Sequence, residues 1–213
     1  MRVSAEVDPD LEITEIVDRV VKAGGPALLF ERPKGSSHPL LINQFGTERR
    51  MCLALGVETL DDVAKRLSNI LEMQPPQGLM EKVRGLQTLK SIADSRPKTV
   101  RRGPVHEVVL QGDDVDLSLL PIQRCWPDDP APFITLPAVL THDPRDSTRN
   151  VGMYRMQVID NRTTFMHWQI HKDGRADYLA TDGRIEVAVA LGLDPITSYS
   201  AGAPLPKHVD ELM

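Results

Sequence analysis

Six prolines, at positions 121, 127, 130, 132, 137 and 144, crowd one short stretch in the second half of the chain. Each fixes its own φ and removes a backbone donor, so neither a helix nor a long central strand runs through it. The stretch must be ordered but irregular, and what surrounds it must be joined by loops. The apolar runs on either side have β character: Val105 to Leu110, Phe133 to Leu140, Val151 to Asp160, Thr164 to His171 and Ile185 to Leu191. The second half is therefore expected to be β-rich and of barrel type. Aromatic residues make up only 4% of the chain, so its core must rest on aliphatic side chains.

The first hundred residues have a different texture. Ile13, Ile16, Val17 and Val20 recur at helical spacing, with Asp8 as cap, Pro9 in the first helical position and Gly24-Gly25-Pro26 as the stop. Ala27–Phe30 and Pro39–Ile42 read as short strands flanking a turn-rich segment. Thr47 and Thr59 suit the caps of two further helices, the second with a stripe of Val63, Leu67, Ile70 and Leu71. Pro75-Pro76 should end that helix, and Leu79 to Ala93 should form another. A basic, proline-marked connector, Arg96 to Pro104, places a domain boundary there: an α/β domain over 1–103 and a β-rich domain over 104–213.

Charge excludes some functions. A net charge of −5 and a pI near 5.7 give no general attraction for nucleic acid or an anionic membrane. There is no apolar run of membrane-spanning length and no signal-peptide pattern at the start, so a cytoplasmic protein is expected. Cys52 and Cys125 read as two unpaired thiols rather than one disulfide.

The chemistry concentrates between Asn150 and Lys172. Two strands are expected here, Val151–Ile159 and Thr164–Ile170, paired antiparallel through a turn at Asp160-Asn161-Arg162-Thr163. In the second strand Thr164, Met166, Trp168 and Ile170 share one face, while Phe165, His167, Gln169 and His171 share the other. Two imidazoles and an amide at alternate positions suit a metal or a phosphate. On spacing alone they more often mark the polar outer face of a half-buried sheet. In the first strand Met153 and Arg155 fall on one face, Gly152 and Tyr154 on the other. A guanidinium grips a carboxylate or phosphate with a two-pronged fork, though an arginine on a sheet is more often simply solvated. The Asn150 side-chain oxygen is a ligand type for a hard cation, but an asparagine beside a turn is commonly a turn residue. Asn150 and Arg155 have opposite parity, so meeting one ligand would require a bulge near Gly152 or Asn150 in the preceding loop.

Other candidates carry less. Cys125 lies near Asp128 and Asp129 but has no neighbouring base to activate it. Asp113, Asp114 and Asp116 read as a solvated loop with a cap rather than a Ca²⁺ loop, and no phosphate-cradling glycine motif occurs.

Several segments taken together resemble the UbiD family, decarboxylases of aromatic and α,β-unsaturated acids that use prenylated FMN. They are DPDLEITEIVDRV (8–20), AGGPALLFERPKG (23–35), GDDVDLSLLPIQRCWPDDPAPFIT (112–135), NVGMYRMQV (150–158), MHWQIHK (166–172) and VAVALGLDPIT (187–197). They lie in order along nearly the whole chain. The resemblance implies an α+β protein in which an N-terminal α/β domain precedes a split β-barrel that binds the flavin. It implies that Asn150, with His167 as the histidine ligand, holds a Mn²⁺-type ion bridging to the flavin phosphate, with K⁺ as a further cation. Arg155 would lie over the cofactor and hold the substrate carboxylate. Met153, Tyr154, His167, Trp168, Gln169, Lys172 and Asp173 would contact the flavin.

The implied activity is a reversible, non-oxidative decarboxylation, with 4-hydroxy-3-polyprenylbenzoate in ubiquinone biosynthesis as one substrate. A flavin prenyltransferase would supply the cofactor, and homo-oligomers would form in the full-length family. Family members are considerably longer. The metal-ligating glutamate, the proton-exchanging acid and the C-terminal domain are therefore expected beyond Met213, making the chain an N-terminal part, inactive by itself. The alternative is a non-catalytic flavin-binding remnant or accessory subunit.

Overall fold

The structure is a computed structural model that describes residues 1–71, 90, 98–203 and 211–212. The break expected at Pro75-Pro76 lies outside the described residues, as does nearly all of the helix expected over 79–93.

The first half is a small sheet covered by a helix. Strands β1 (Arg2–Val7), β2 (Leu28–Pro33) and β3 (Leu40–Ile42) lie in that order, β1 parallel to β2 and β3 antiparallel to it. A parallel pair needs a crossover, and helix α1 (Glu12–Lys22) provides it. Its apolar stripe packs on the sheet: Ile13, Leu28 and Phe30 are fully buried, with Val7, Ile16, Val17 and Val20 around them. Removing each of the three large side chains from water is worth about 1.5–3 kcal/mol.

Two details depart from the sequence reading. Strand β1 was not anticipated. The helix also starts at Glu12 rather than Pro9, because Leu11 sits at φ 69°, a left-handed conformation that no helix enters. Contacts with the second half hold it there: the Leu11 N–H donates to the Arg124 carbonyl, and the Arg124 guanidinium forks onto both Asp10 carboxylate oxygens. The end is as expected, with Gly24 at φ +68° and the Gly25 N–H returning to the Val20 carbonyl.

Helices α2 (Glu48–Leu55) and α3 (Leu60–Leu71) follow. Thr47 caps the first by accepting from the Arg50 N–H. At the second start the roles reverse, since the Asp62 carboxylate accepts from both the N–H and the hydroxyl of Thr59.

Among the described residues the second half contains two three-stranded sheets. One is ordered β4 (Phe133–Ile134), β7 (Met156–Val158), β8 (Thr164–Met166). The other is ordered β6 (Arg149–Met153), β5 (Ala138–His142), β9 (Ala188–Ala190). All their pairings are antiparallel. Short helices α4 (Asp173–Leu179) and α5 (Pro195–Ser200) complete the half, and α5 touches α2.

Three strand expectations are corrected. The run Phe133–Leu140 is two strands parted near Pro137, where no donor is available for a ladder. The run Val151–Ile159 is also two strands, divided at Tyr154-Arg155. Val151–Met153 pairs with β5, and only Met156–Val158 forms the expected hairpin with Thr164–Met166. The hairpin turn is the one anticipated, closed by Asp160 Oδ1 accepting from the N–H groups of Arg162 and Thr163. Finally, Val105–Leu110 forms no strand. It is exposed, irregular chain after a 3₁₀ turn at Pro104–His106, with no ladder partner among the described residues.

Both cysteines are free. Among the described residues no helix is long and apolar enough to cross a membrane.

Candidate functional site

Tyr154 joins the two sheets of the second half. Its ring is 4% exposed and packs with Ile134, Val139 and Met156, edge-on to Trp168 at 6.5 Å between centroids. Its hydroxyl accepts from the Gly174 N–H at 3.2 Å, at the start of α4. Two glycines make room for it. A methyl at Gly152 would stand 2.5 Å from Tyr154 Cε2 and nearer still to Cζ and the hydroxyl. One at Gly174 would lie 3.1 Å from the same ring and 3.2 Å from Trp168 Nε1. Gly152 and Tyr154 do share a face, as the two-residue period predicts. Burial pushes the Tyr154 hydroxyl pKa upward, so it stays a neutral donor and acceptor.

Asn150 lies on the same side of β6. Its Nδ2 donates to Thr141 Oγ1 at 2.9 Å, directly across the β5–β6 ladder, and lies 3.5 Å from the Tyr154 hydroxyl. Thr141 is fully buried and donates its own proton to Asp177 Oδ2 at 2.6 Å. Asp177, on α4, is 4% exposed. Desolvation raises its pKa first, opposed by the Thr141 hydrogen bond and reinforced by the charges of Asp143 and Asp173. The β5–β6 register runs without interruption from Ala138–Met153 to His142–Arg149, so Gly152 carries no bulge and Asn150 is a strand residue. Neither expected way of reconciling Asn150 with Arg155 occurs, and the parity between them is broken instead at Tyr154-Arg155, where the chain leaves β6 before β7 begins.

Arg155 follows Tyr154 on the other side of the chain. It is exposed, with Cζ 5.6 Å from the Phe133 ring centroid, and no carboxylate pairs with it among the described residues. The contact steadies the guanidinium while leaving its N–H fork for a ligand. His167 is its neighbour, donating its backbone N–H to the Arg155 carbonyl, with the imidazole exposed.

Beyond Met166 the strand stops. The expected single face of His167, Gln169 and His171 is therefore not formed: Gln169 Oε1 accepts from the His171 N–H and the Gln169 carbonyl from the Lys172 N–H, which curls the chain into α4. Lys172 occupies the helix cap and Asp173 its first position. Met153 ends β6, half-buried. Trp168 turns inward against Tyr154 and Tyr178, whereas Ile170, expected on the same face, is exposed.

Three participants escaped the sequence reading. Thr141 and Asp177 carry no local signal and meet Asn150 only through the tertiary fold. Glu211 Oε2 accepts from the Val151 N–H at 2.7 Å, which brings a carboxylate against the strand that holds Asn150.

The Asn150 amide suits the cation that the family resemblance implies, while among the described residues no hydrogen bond joins the His167 imidazole to it. With Nδ2 turned toward Thr141 and Tyr154, the Asn150 Oδ1 makes no hydrogen bond among the described residues, and amide and carboxylate oxygens are the ligands a hard divalent ion takes. The buried Nε1 of Trp168 and Nε of Arg175 also lack partners among those residues, which is unusual for interior donors and leaves them for a polar ligand. No cluster of three or more His, Cys, Asp or Glu side chains suited to a metal occurs among the described residues.

Two family models match the chain. The 3-octaprenyl-4-hydroxybenzoate carboxy-lyase N-terminal domain covers residues 1–68, and the Rift-related domain of the same enzymes covers residues 98–213. Uncharacterised proteins of Archaeoglobus fulgidus and Aquifex aeolicus are 50% and 46% identical over the whole chain, which spans 44% and 45% of their lengths. The chain thus spans less than half the length of these relatives. Among solved structures, the UbiD-class enzyme HmfF from Pelotomaculum thermopropionicum in complex with FMN matches 99% of the chain at a TM-score of 0.78 and 26% identity, over 43% of its own length. An evolved dimeric form of that enzyme in complex with prFMN gives 0.79, also at 26% identity and 99% of the chain, over 45% of its own length. The closed form of vanillic acid decarboxylase from Sedimentibacter hydroxybenzoicus shares the fold at 0.78 and 23% identity, with 99% of this chain matched to 43% of that one. With the Rift-related model matching more than half of its residues, the chain belongs to the UbiD family.

Proposed function

We propose that this chain is the flavin- and cation-binding part of a prenylated-FMN-dependent carboxy-lyase acting reversibly and non-oxidatively on an aromatic or α,β-unsaturated carboxylic acid. The observation that carries the reading is the 150–155 segment. Within six residues it crosses from one sheet to the other, presenting an unspent amide oxygen at Asn150 and an exposed guanidinium at Arg155.

In this reading the Asn150 Oδ1 offers an oxygen ligand to a Mn²⁺-type ion, with His167 as the imidazole ligand and Glu211, rather than a glutamate beyond Met213, as the carboxylate ligand. An ion held by these residues would supply positive charge to balance the flavin phosphate. Met153, Tyr154, Trp168, Gln169, Lys172 and Asp173 line the flavin, and the Trp168 Nε1 supplies a buried donor. Bound prenylated flavin supplies the electron sink for the charge left on carbon when CO₂ departs. The protein's part is orientation: Arg155 grips the substrate carboxylate with its fork and holds the scissile bond in place.

The finer assignments belong to the same proposal. They are the domain division at 103/104, closure of the two sheets into a split barrel, K⁺ as a second cation, and assembly into homo-oligomers. They also include cytoplasmic location, cofactor supply by a flavin prenyltransferase, and a polyprenyl-hydroxybenzoate substrate. The family model starting at residue 98 supports the division, and the dimeric prFMN complex of HmfF supports a flavin-bound oligomer.

The test is co-expression with a flavin prenyltransferase, followed by the visible spectrum and mass of any bound flavin. The expected result is a stoichiometric prenylated flavin whose retention falls on chelation of divalent metal. A chain that stays colourless and flavin-free, though folded by circular dichroism, would refute the proposal.

A further inference from the structure

The chain Asn150–Thr141–Asp177 crosses three elements, β6, β5 and α4, and runs inward from the candidate cation ligand to a buried carboxylate. An ionised carboxylate only accepts hydrogen bonds. Thr141 has a single hydroxyl proton, and against an ionised Asp177 the 2.6 Å contact sends it to Oδ2. The lone pairs of Thr141 Oγ1 therefore face Asn150, and only the NH₂ end of the Asn150 amide can meet them at 2.9 Å. Turned the other way, the amide oxygen would oppose an oxygen with no proton left to give. The second NH₂ proton has the Tyr154 hydroxyl nearby at 3.5 Å, and that hydroxyl is already held by the Gly174 N–H. The amide thus has one favoured orientation, with Oδ1 turned away from Thr141.

We propose that Thr141 and Asp177 are positioning residues that lock the Asn150 side-chain amide with its oxygen turned away from Thr141, preset for a divalent cation. The inference rests on the reading of Asn150 as a cation ligand and adds the device that orients it. An asparagine free to flip would present its NH₂ group to the ion in part of the population and would bind it more weakly. Partners of this kind, one bond removed from the metal, typically set affinity by 10–100-fold.

The experiment uses the full chain with Mn²⁺ as the probe, read by the electron paramagnetic resonance signal of free Mn²⁺, together with the side-chain ¹⁵N–¹H₂ resonances of Asn150 recorded without metal. Thr141→Val keeps the shape and removes the hydroxyl, Thr141→Ser restores it, and Asp177→Asn keeps the shape while no longer forcing the direction of the Thr141 proton. The expected result is Mn²⁺ affinity weakened on the order of 10-fold in Thr141→Val, by a smaller factor in Asp177→Asn, and restored in Thr141→Ser. The Asn150 amide protons should exchange faster with solvent in the two weakened variants. Asp177→Asn removes a desolvated charge, and its circular dichroism and urea unfolding are recorded beside the parent's so that lost affinity is separated from lost structure. It alone decides the matter if Thr141→Val does not fold. Unchanged amide resonances and unchanged affinity in Asp177→Asn would overturn the lock. A parent chain that shows the protected amide yet binds no Mn²⁺ would overturn the cation reading of Asn150, and with it the purpose assigned to the lock.

Discussion

Gly152→Ala isolates one steric fact at the centre of the site. Gly152 does not have a positive φ, so alanine is not excluded by its backbone conformation. In a strand, replacing glycine should by itself stabilise by roughly 0.5–1 kcal/mol through the lower entropy of the unfolded chain. Against that gain stands the Tyr154 ring, with Cε2 only 2.5 Å from where the new methyl must sit. No side-chain contact persists at that distance, and the ring is 4% exposed, so it cannot swing into solvent without opening the core. Overpacking of this kind costs about 1–3 kcal/mol. Displacing the ring also strains the hydrogen bond from the Gly174 N–H, worth about 1 kcal/mol. The net expectation is a loss of about 1–3 kcal/mol, which for a chain of this size lowers Tm by about 2–4 °C per kcal/mol. Urea unfolding followed by circular dichroism measures it. A double-mutant cycle with Tyr154→Leu assigns the cause, because a smaller side chain at 154 should recover most of the loss. Gly152→Ala as stable as the parent, or strictly additive with Tyr154→Leu, would refute the account.

Arg155→Lys in an active, flavin-loaded form should cut turnover about 10–100-fold, the worth of a charge-assisted hydrogen bond, while the flavin spectrum is retained; unchanged turnover would mean that another residue grips the carboxylate. Asp177 has a folded-state pKa above its ordinary 3.8. Its contribution to stability is therefore full below the unfolded value and lost as pH rises through the folded one. Asp177→Asn, which does not titrate, should accordingly gain stability relative to the parent between pH 3.5 and pH 7 in paired urea titrations, and a constant difference would contradict the shift. Thr47→Ala should cost about 1 kcal/mol through loss of the α2 cap, read by the same titration.

Features that depend on neighbours along the chain were legible in the order of residues. The stripe of Ile13, Ile16, Val17 and Val20 specified a helix and its buried face, because side chains three and four residues apart meet on one side whatever lies opposite. Gly24-Gly25 specified its end, and Asp160 to Thr163 specified the hairpin turn, since both are closed by hydrogen bonds a few residues long. The shared face of Gly152 and Tyr154 was legible from the strand period. Asn150 and Arg155 stood out by residue type and by family resemblance, but their setting did not. Packing between distant segments set the rest: β1 runs parallel to β2, Leu11 is pinned by Arg124 and delays the helix, and the run through Tyr154 divides between two sheets. It also placed Thr141 and Asp177 behind Asn150, though they lie 9 and 27 positions away in the chain. The physical reason is common to these cases. Alternation tells a strand which face is buried but not which strand it joins, and a buried hydroxyl or carboxylate finds its partner only where separate elements pack together.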